Sequence, residues 1–271
     1  MNTTTWNNYL AQTWDKYLPP IRPYGEEIEV FRTWIQDYVD CENRAPDILI
    51  LGSTPELRDL VSEFKIIPTV VDFSSDNYFA MGTLRSTQTK EVFIESDWME
   101  LEEKSQFDLI LSEAALNVVD AASSKTLYSK CNNFLRTGGK LFAKNWLRTT
   151  NKPYAVEYLI EASRSVPTFK FGFYSSVCIP LMLCFYDYCN EEIQLKAFRN
   201  CCKNLFDEGF ITQCEWETIA VHKYEKVDLQ LYIPSIFDFI NDITDYFYID
   251  QVCDVGIGFS EYHPMFKLTR R

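Results

Sequence analysis

The feature that most limits this chain's fold is the alternation of short apolar runs and amphipathic stretches between residues 46 and 150. It opens with Asp47-Ile48-Leu49-Ile50-Leu51-Gly52, a continuous apolar run of the kind that forms a strand covered on both faces. Ser53-Thr54-Pro55-Glu56 follows as a helix start, with Ser53 or Thr54 as cap, Pro55 in the first turn and Glu56 completing a capping box. Further strands are expected over residues 67–72, 91–95, 107–111 and 140–146, with a helix over about 122–136 stopped by Gly138-Gly139. Strands alternating with helices imply a parallel sheet joined by right-handed crossovers.

The flanks have a different character. Residues 1–45 begin polar and aromatic, pass through Tyr17-Leu18-Pro19-Pro20-Ile21-Arg22-Pro23, and continue as an expected helix over 26–38 with Ile28, Phe31, Ile35 and Val39 on or near one face. Residues 151–245 read as helical, with candidates at 153–165, 175–188, 191–207, 212–221 and 234–246. The longest charge-free apolar run, 171–186, is too short to span a bilayer and contains Pro180. Residues 246–254 and 264–269 are expected as two closing strands in a segment covering 246–271, which brings the strand count to seven.

Composition removes several functions. With 39 acidic and 26 basic side chains the formal charge is −13, and no run of four or more Lys or Arg offers a phosphate-binding stripe, which argues against nucleic acid. The 9 cysteines are odd in number and contain no CxxC, so reduced, mostly buried thiols in a cytoplasmic protein are expected, without a metal site. The polar start MNTTTWNNYL lacks the pattern of a secretion signal, and no membrane association is expected.

The glycine count is equally restrictive. In an open parallel sheet, ligands sit beyond the carboxyl ends of the strands, and a dinucleotide site needs GxGxxG in the first turn. Here that turn has the single glycine Gly52, and no GxxxxGK[ST] exists, so pyrophosphate cofactors and P-loop nucleotides are disfavoured. Asp72 nevertheless ends the second strand 20 residues after Gly52, the spacing at which a carboxylate accepts ribose hydroxyls. The combination suggests a nucleoside site without a pyrophosphate, the alternative being that Asp72 caps the next helix.

Five ordered segments then carry a resemblance. They are Ile48 to Arg58, Val70-Val71-Asp72-Phe73-Ser74, Ser96-Asp97-Trp98, Phe107 to Glu113, and Leu135 to Lys140. Together they resemble the Rossmann-like domain of class I S-adenosylmethionine-dependent methyltransferases, of the small-molecule type with an atypical LGSTPEL loop. The resemblance implies an α/β fold with a mostly parallel seven-stranded sheet flanked by helices. An N-terminal helical lid (1–45), a cofactor-binding core (46–150), a helical substrate cap inserted before the last two strands (151–245) and a closing hairpin (246–271) complete it.

The same resemblance implies roles for particular residues, with S-adenosylmethionine as cofactor and S-adenosylhomocysteine as product. Gly52, Ser53 and Thr54 would border its methionyl part, Asp72 its ribose and Phe73 its adenine. Asp97 would meet the adenine amino group beside Trp98, while the backbone at Ser112 would meet the ammonium with Glu113 next to it. Tyr17 and Arg22 would close over the carboxylate. Methyl transfer needs alignment and water exclusion more than a triad, so Glu113 and His263 stand only as candidate bases, with His222 expected at the surface. The 95 residues of the cap hold 17 aromatics, about 18% against 15% for the chain, so packing accounts for most of them. Tyr154, Tyr158, Tyr174 and Tyr186 are candidate substrate walls. A small organic acceptor is the first reading. Alternatives are a protein or peptide acceptor, or a non-catalytic binding or scaffold protein, and a homodimer is left open.

Overall fold

The computed structural model describes residues 11–271 except 13, 18–19, 24, 103–105, 150–153, 166–178, 219–230 and 256–258. In chain order, α1 (Glu26–Glu42) precedes β1 (Ile48–Leu51), α2 (Pro55–Glu63), β2 (Thr69–Asp72), α3 (Ser75–Gly82) and β3 (Val92–Glu95). Then come β4 (Phe107–Glu113), a 3-10 turn (Ala115–Val118), α4 (Ala121–Phe134) and β5 (Leu135–Lys144). The following segment holds α5 (Val156–Ser165), the short pair β6 (Tyr186–Asp187) and β7 (Glu192–Ile193), α6 (Leu195–Asp207), α7 (Gln213–Thr218) and α8 (Ile236–Ile243). The last strands are β8 (Phe247–Cys253) and β9 (Met265–Arg270).

Seven of these strands form one sheet in the order β3-β2-β1-β4-β5-β9-β8. The first five are parallel, and β9 runs antiparallel to both β5 and β8. The fold is therefore a Rossmann-like, mostly parallel seven-stranded sheet flanked by helices. Alternation along β1 explains its unbroken apolar run. Ile48 and Ile50 pack with Phe31, Trp34 and Ile35 of α1 and Leu57, Leu60 and Val61 of α2, whereas Leu49 and Leu51 face Leu127, Tyr128 and Cys131 of α4. Each such aliphatic side chain contributes roughly 1.5–3 kcal/mol when fully buried. A third cluster joins Trp14, Tyr17 and Ile21 to Leu159, Leu181, Met182, Phe198, Leu231 and Ile233.

Several expectations need correction. The first helix continues to Glu42 and ends where Asn43 takes a left-handed conformation (φ 50°). Gly138-Gly139 do not stop a helix: α4 ends at Phe134, the chain enters β5 directly, and both glycines lie within that strand. A Cβ on Gly139 would stand 2.9 Å from the Arg136 carbonyl oxygen and 3.1 Å from that of Asp108, so close backbone approach requires the glycine. The β4–β5 register shifts between Phe107 and Leu109 beside it.

The strand then ends at Lys144, which leaves Trp146 beyond it. Within the segment expected to be almost wholly helical, β6 and β7 form an antiparallel pair. Among the eight described cysteines only Cys131 and Cys202 are buried, while Cys41, Cys189 and Cys214 are exposed. Among the described residues no helix is long and apolar enough to cross a membrane.

Candidate functional site

A cavity lies beyond the carboxyl ends of the parallel strands. Its floor comes from the turns after β1, β2, β3, β4 and β5, and its cover from Trp14, Tyr17, Ile21 and Leu231. Strand order reverses between β1 and β4, so the cavity occupies the position where open α/β sheets bind ligands.

The turn after β1 sets its centre. Gly52 has φ +87°, a conformation that favours glycine, and its N–H donates to the Val71 carbonyl at 2.8 Å. Trp98 packs 3.6 Å from where a Gly52 Cβ would be, and its indole N–H donates to the same carbonyl at 2.9 Å. The capping box expected after Gly52 does not form. Thr54 occupies the cap position of α2 without a side-chain hydrogen bond, and the Ser53 hydroxyl turns to donate to Asp72 Oδ2 at 2.5 Å. Glu56 instead accepts from Trp14 Nε1 at 3.1 Å and Arg22 Nε at 2.5 Å, fastening the segment that covers the cavity.

Asp72 is buried at the end of β2. Its Oδ2 also accepts from Asn77 Nδ2 at 3.0 Å, and its Oδ1 from the Ser74 N–H at 3.1 Å. Burial raises its pKa against the opposing pull of Ser53, Ser74 and Asn77. The side-chain cap of α3 is Ser74, which accepts from the Asn77 N–H at 3.1 Å, so Asp72 is not that cap. Asn77 Oδ1 is buried without a hydrogen-bond partner among the described residues, and Asn77 lines the cavity. An unpaired buried carbonyl of this kind calls for a donor.

At the far side, Glu113 ends β4 directly opposite Lys144 of β5. The fully buried Lys144 ammonium has three donors and makes three bonds: to Glu113 Oε1 at 3.1 Å, Glu27 Oε2 at 3.0 Å and the Pro20 carbonyl at 2.6 Å. The Trp146 indole N–H shares that Pro20 carbonyl at 3.3 Å. Burial pushes Glu113 up to about 7 despite Lys144, with Glu27 and Glu56 adding to the rise. For Glu27, burial acts upward too, but Lys144 and His263 outweigh it and hold it below the usual range. Lys144 is held above its ordinary value, the two carboxylates outweighing burial.

The sequence-derived residues divide as follows. Gly52, Ser53, Thr54, Asp72, Phe73, Trp98, Glu113 and Tyr17 all line the cavity. Arg22 does not, because Glu56 engages it. Asp97 also lies outside the lining, and its Oδ1 accepts from the Met99 N–H at 2.9 Å. The Ser112 residue lines a separate small cavity with Leu127 and Tyr128, and the role expected of it was one for its backbone. Tyr154 and Tyr158 are exposed, Tyr186 lies 4.6 Å from the Arg148 guanidinium, and none of the three is among the residues lining this cavity. Tyr174 and His222 fall outside the described residues. His263 is buried behind the site, with Nδ1 3.6 Å from Glu27 Oε1.

Sequence reasoning missed Asn77, Glu27, Lys144, Trp146 and Asn117. Asn117, in the 3-10 turn, donates to the Trp146 and Tyr232 carbonyls at 2.8 Å each and accepts from the Trp146 N–H at 2.8 Å, which pins the segment bearing Leu231. A polar Asn77 five residues after Asp72 was the one readable signal among them.

No protein-family model matches this sequence, and no curated protein matches it. Solved structures do share its fold. The PH0226 protein from Pyrococcus horikoshii OT3 aligns over 95% of this chain and 98% of its own at 10% identity, with a TM-score of 0.53. A structure described as putative Zn-dependent alcohol dehydrogenases from Rhodobacter sphaeroides covers 97% and 98% at 14% identity, with a TM-score of 0.57. The N-methyltransferase NodS from Bradyrhizobium japonicum WM9, in complex with S-adenosyl-L-homocysteine, covers 97% and 98% at 11% identity, with a TM-score of 0.49. At such identities the likeness is one of fold, and the chemistry rests on this chain's own side chains. Among the described residues no group of three or more His, Cys, Asp or Glu could hold a metal.

Proposed function

We propose that this protein is an S-adenosylmethionine-dependent methyltransferase acting on a small organic acceptor. The observation that carries the proposal is the unpaired Asn77 Oδ1 beside the buried Asp72 carboxylate at the switch point, in a cavity that Phe73 and Trp98 also line. Such a set suits the hydroxyls and base of a nucleoside. Among the described residues no Lys, Arg or His lines the cavity, which fits a ligand without phosphates. S-Adenosylmethionine would supply an electrophilic methyl group on a sulfonium.

In this reading Asp72 and Asn77 hold the ribose end, Phe73 and Trp98 flank the base, and the Gly52-Ser53-Thr54 turn borders the methionyl part. Asp97 and Ser112 belong to the cofactor set by the resemblance alone. Arg22 is left out of it, since its guanidinium serves Glu56 and thereby holds the cover shut. Glu113, Tyr17, Trp14 and Trp146 face the remaining space, where the acceptor would lie. We assign residues 1–45 as lid, 46–150 as cofactor-binding core, 151–245 as substrate cap and 246–271 as closing hairpin. Coverage by Trp14, Tyr17, Ile21 and Leu231 supports a small acceptor over a peptide, and acceleration would come mainly from alignment and exclusion of water.

Incubation with methyl-labelled S-adenosylmethionine and a fractionated metabolite extract tests the proposal. Label is expected in a low-mass product together with S-adenosylhomocysteine. Label confined to protein would shift the reading to a peptide acceptor. Binding of the cofactor without any transfer would favour the non-catalytic alternative.

A further inference from the structure

We propose that Glu113 accepts a proton from the acceptor, that Lys144 is the residue positioning it, and that the acceptor is therefore an amine carried on an apolar body. The inference rests on the methyltransferase reading and deepens it.

Glu113 lines the cavity, and its single hydrogen bond among the described residues comes from Lys144 to Oε1, so Oε2 carries none. Lys144 cannot swing toward a ligand, because its three donors are engaged by Glu113, Glu27 and the Pro20 carbonyl. It acts through Glu113 by fixing the carboxylate's orientation. The charged groups facing Glu113 are Lys144 from β5, Glu27 from α1 and Glu56 from α2, with His263 behind Glu27 and Arg22 paired to Glu56. One ammonium thus lies between two carboxylates. Glu27 has both Lys144 and His263 beside it and stays ionised, which leaves Glu113 as the member that gains and loses a proton near neutrality. That is the range in which a general base is most effective.

The surroundings select the substrate. Asp72 and Glu113 are the charged side chains lining the cavity among the described residues, and both are acidic. Two strand spacings, roughly 10 Å, separate the ends of β2 and β4. With Asp72 assigned to the nucleoside, Glu113, which the resemblance set next to the cofactor's ammonium, is here assigned to the acceptor. Trp14, Tyr17 and Trp146 line the same cavity. A carboxylate in a cavity lined by aromatic residues attracts an ammonium by charge, with cation–π contact open to it, and offers no partner to an anionic acceptor.

The step balances. The acceptor ammonium gives one proton to the Glu113 carboxylate, and the freed nitrogen lone pair forms a bond to the methyl carbon. The carbon–sulfur bond breaks with its electron pair moving to sulfur. The products are an N-methylammonium, a neutral thioether and protonated Glu113, which returns its proton to solvent.

The test uses 2-phenylethylamine as probe and 2-phenylethanol as its uncharged counterpart, titrated into wild-type protein and Glu113→Gln, with and without S-adenosylhomocysteine. Circular dichroism verifies that the variant folds. The amine is expected to bind wild type at least tenfold more tightly than the alcohol, and to tighten from pH 6 to pH 8 as Glu113 ionises. Glu113→Gln should lose both the preference and the pH dependence, and the Glu113 carboxyl signal in a ¹³C titration of the free protein should move near pH 7. Equal binding of amine and alcohol, unchanged selectivity in Glu113→Gln, or a carboxyl titrating near pH 4.5 would each overturn the inference. Failure to bind S-adenosylhomocysteine would instead remove the methyltransferase reading, and the amine titrations without it would still decide the role of Glu113.

Discussion

At the residue scale, the site depends on a few groups whose surroundings differ sharply. Asp72 could be found from the sequence because its distance from Gly52 reflects one strand–helix–strand unit. Lys144 and Glu27 could not, since they meet only through the β4–β5 register and the docking of α1. The sequence placed Glu113 near the reacting end but gave no sign of the lysine behind it.

The shifted carboxyls have a consequence for stability. Glu113 and Asp72 both have raised native pKa values, so between about pH 4.5 and 7 the native state holds more protons than the unfolded chain. Stability therefore falls as pH rises through that window. Glu27, lowered, acts below it, and its contribution is lost as pH falls under the ordinary glutamate value. Thermal melts of wild type should show a falling midpoint from pH 5 to pH 7.5, with a shallower fall in Glu113→Gln. Parallel curves would show that Glu113 does not titrate there.

At the element scale, strands β1, β2 and β4 were legible because burial on both faces leaves nearly continuous apolar runs. Boundaries were less so. Gly138-Gly139 look like a helix stop in the sequence, yet they serve a close approach between β4 and β5 that no local pattern announces. Ser53 and Glu56 matched a capping box, but tertiary partners, Asp72 for one and Trp14 with Arg22 for the other, displaced the local bonds. The buried Asn117 matters in the same way, because it joins the turn after β4 to the chain after β5 and to Tyr232. Asn117→Ala leaves two buried carbonyls and one N–H without that partner and should cost about 2–4 kcal/mol in urea denaturation. A loss under about 1 kcal/mol would show that other groups restore those bonds.

For the whole molecule, the sheet and the segments that cover it meet at the cavity. Trp14, Tyr17 and Ile21 share one apolar cluster with Leu159, Phe198 and Leu231, so the segments before and after the central core pack together over the cavity. The sequence suggested both segments but not their meeting, and the exposed Tyr154 and Tyr158 show that aromatic content alone does not mark a wall. The overall charge of −13 argued against nucleic acid, and the cavity adds a local reason, since its charged lining among the described residues is acidic. The central claim is that this cavity holds a nucleoside sulfonium and not a pyrophosphate cofactor. Calorimetric titration of wild type and Asp72→Ala with S-adenosylhomocysteine and with NAD tests it most directly. Roughly micromolar binding of S-adenosylhomocysteine is expected, weakened at least tenfold (about 1.4 kcal/mol) in Asp72→Ala, with no binding of NAD. A folded wild-type protein that gives no heat with S-adenosylhomocysteine, or that binds NAD as well, would contradict it.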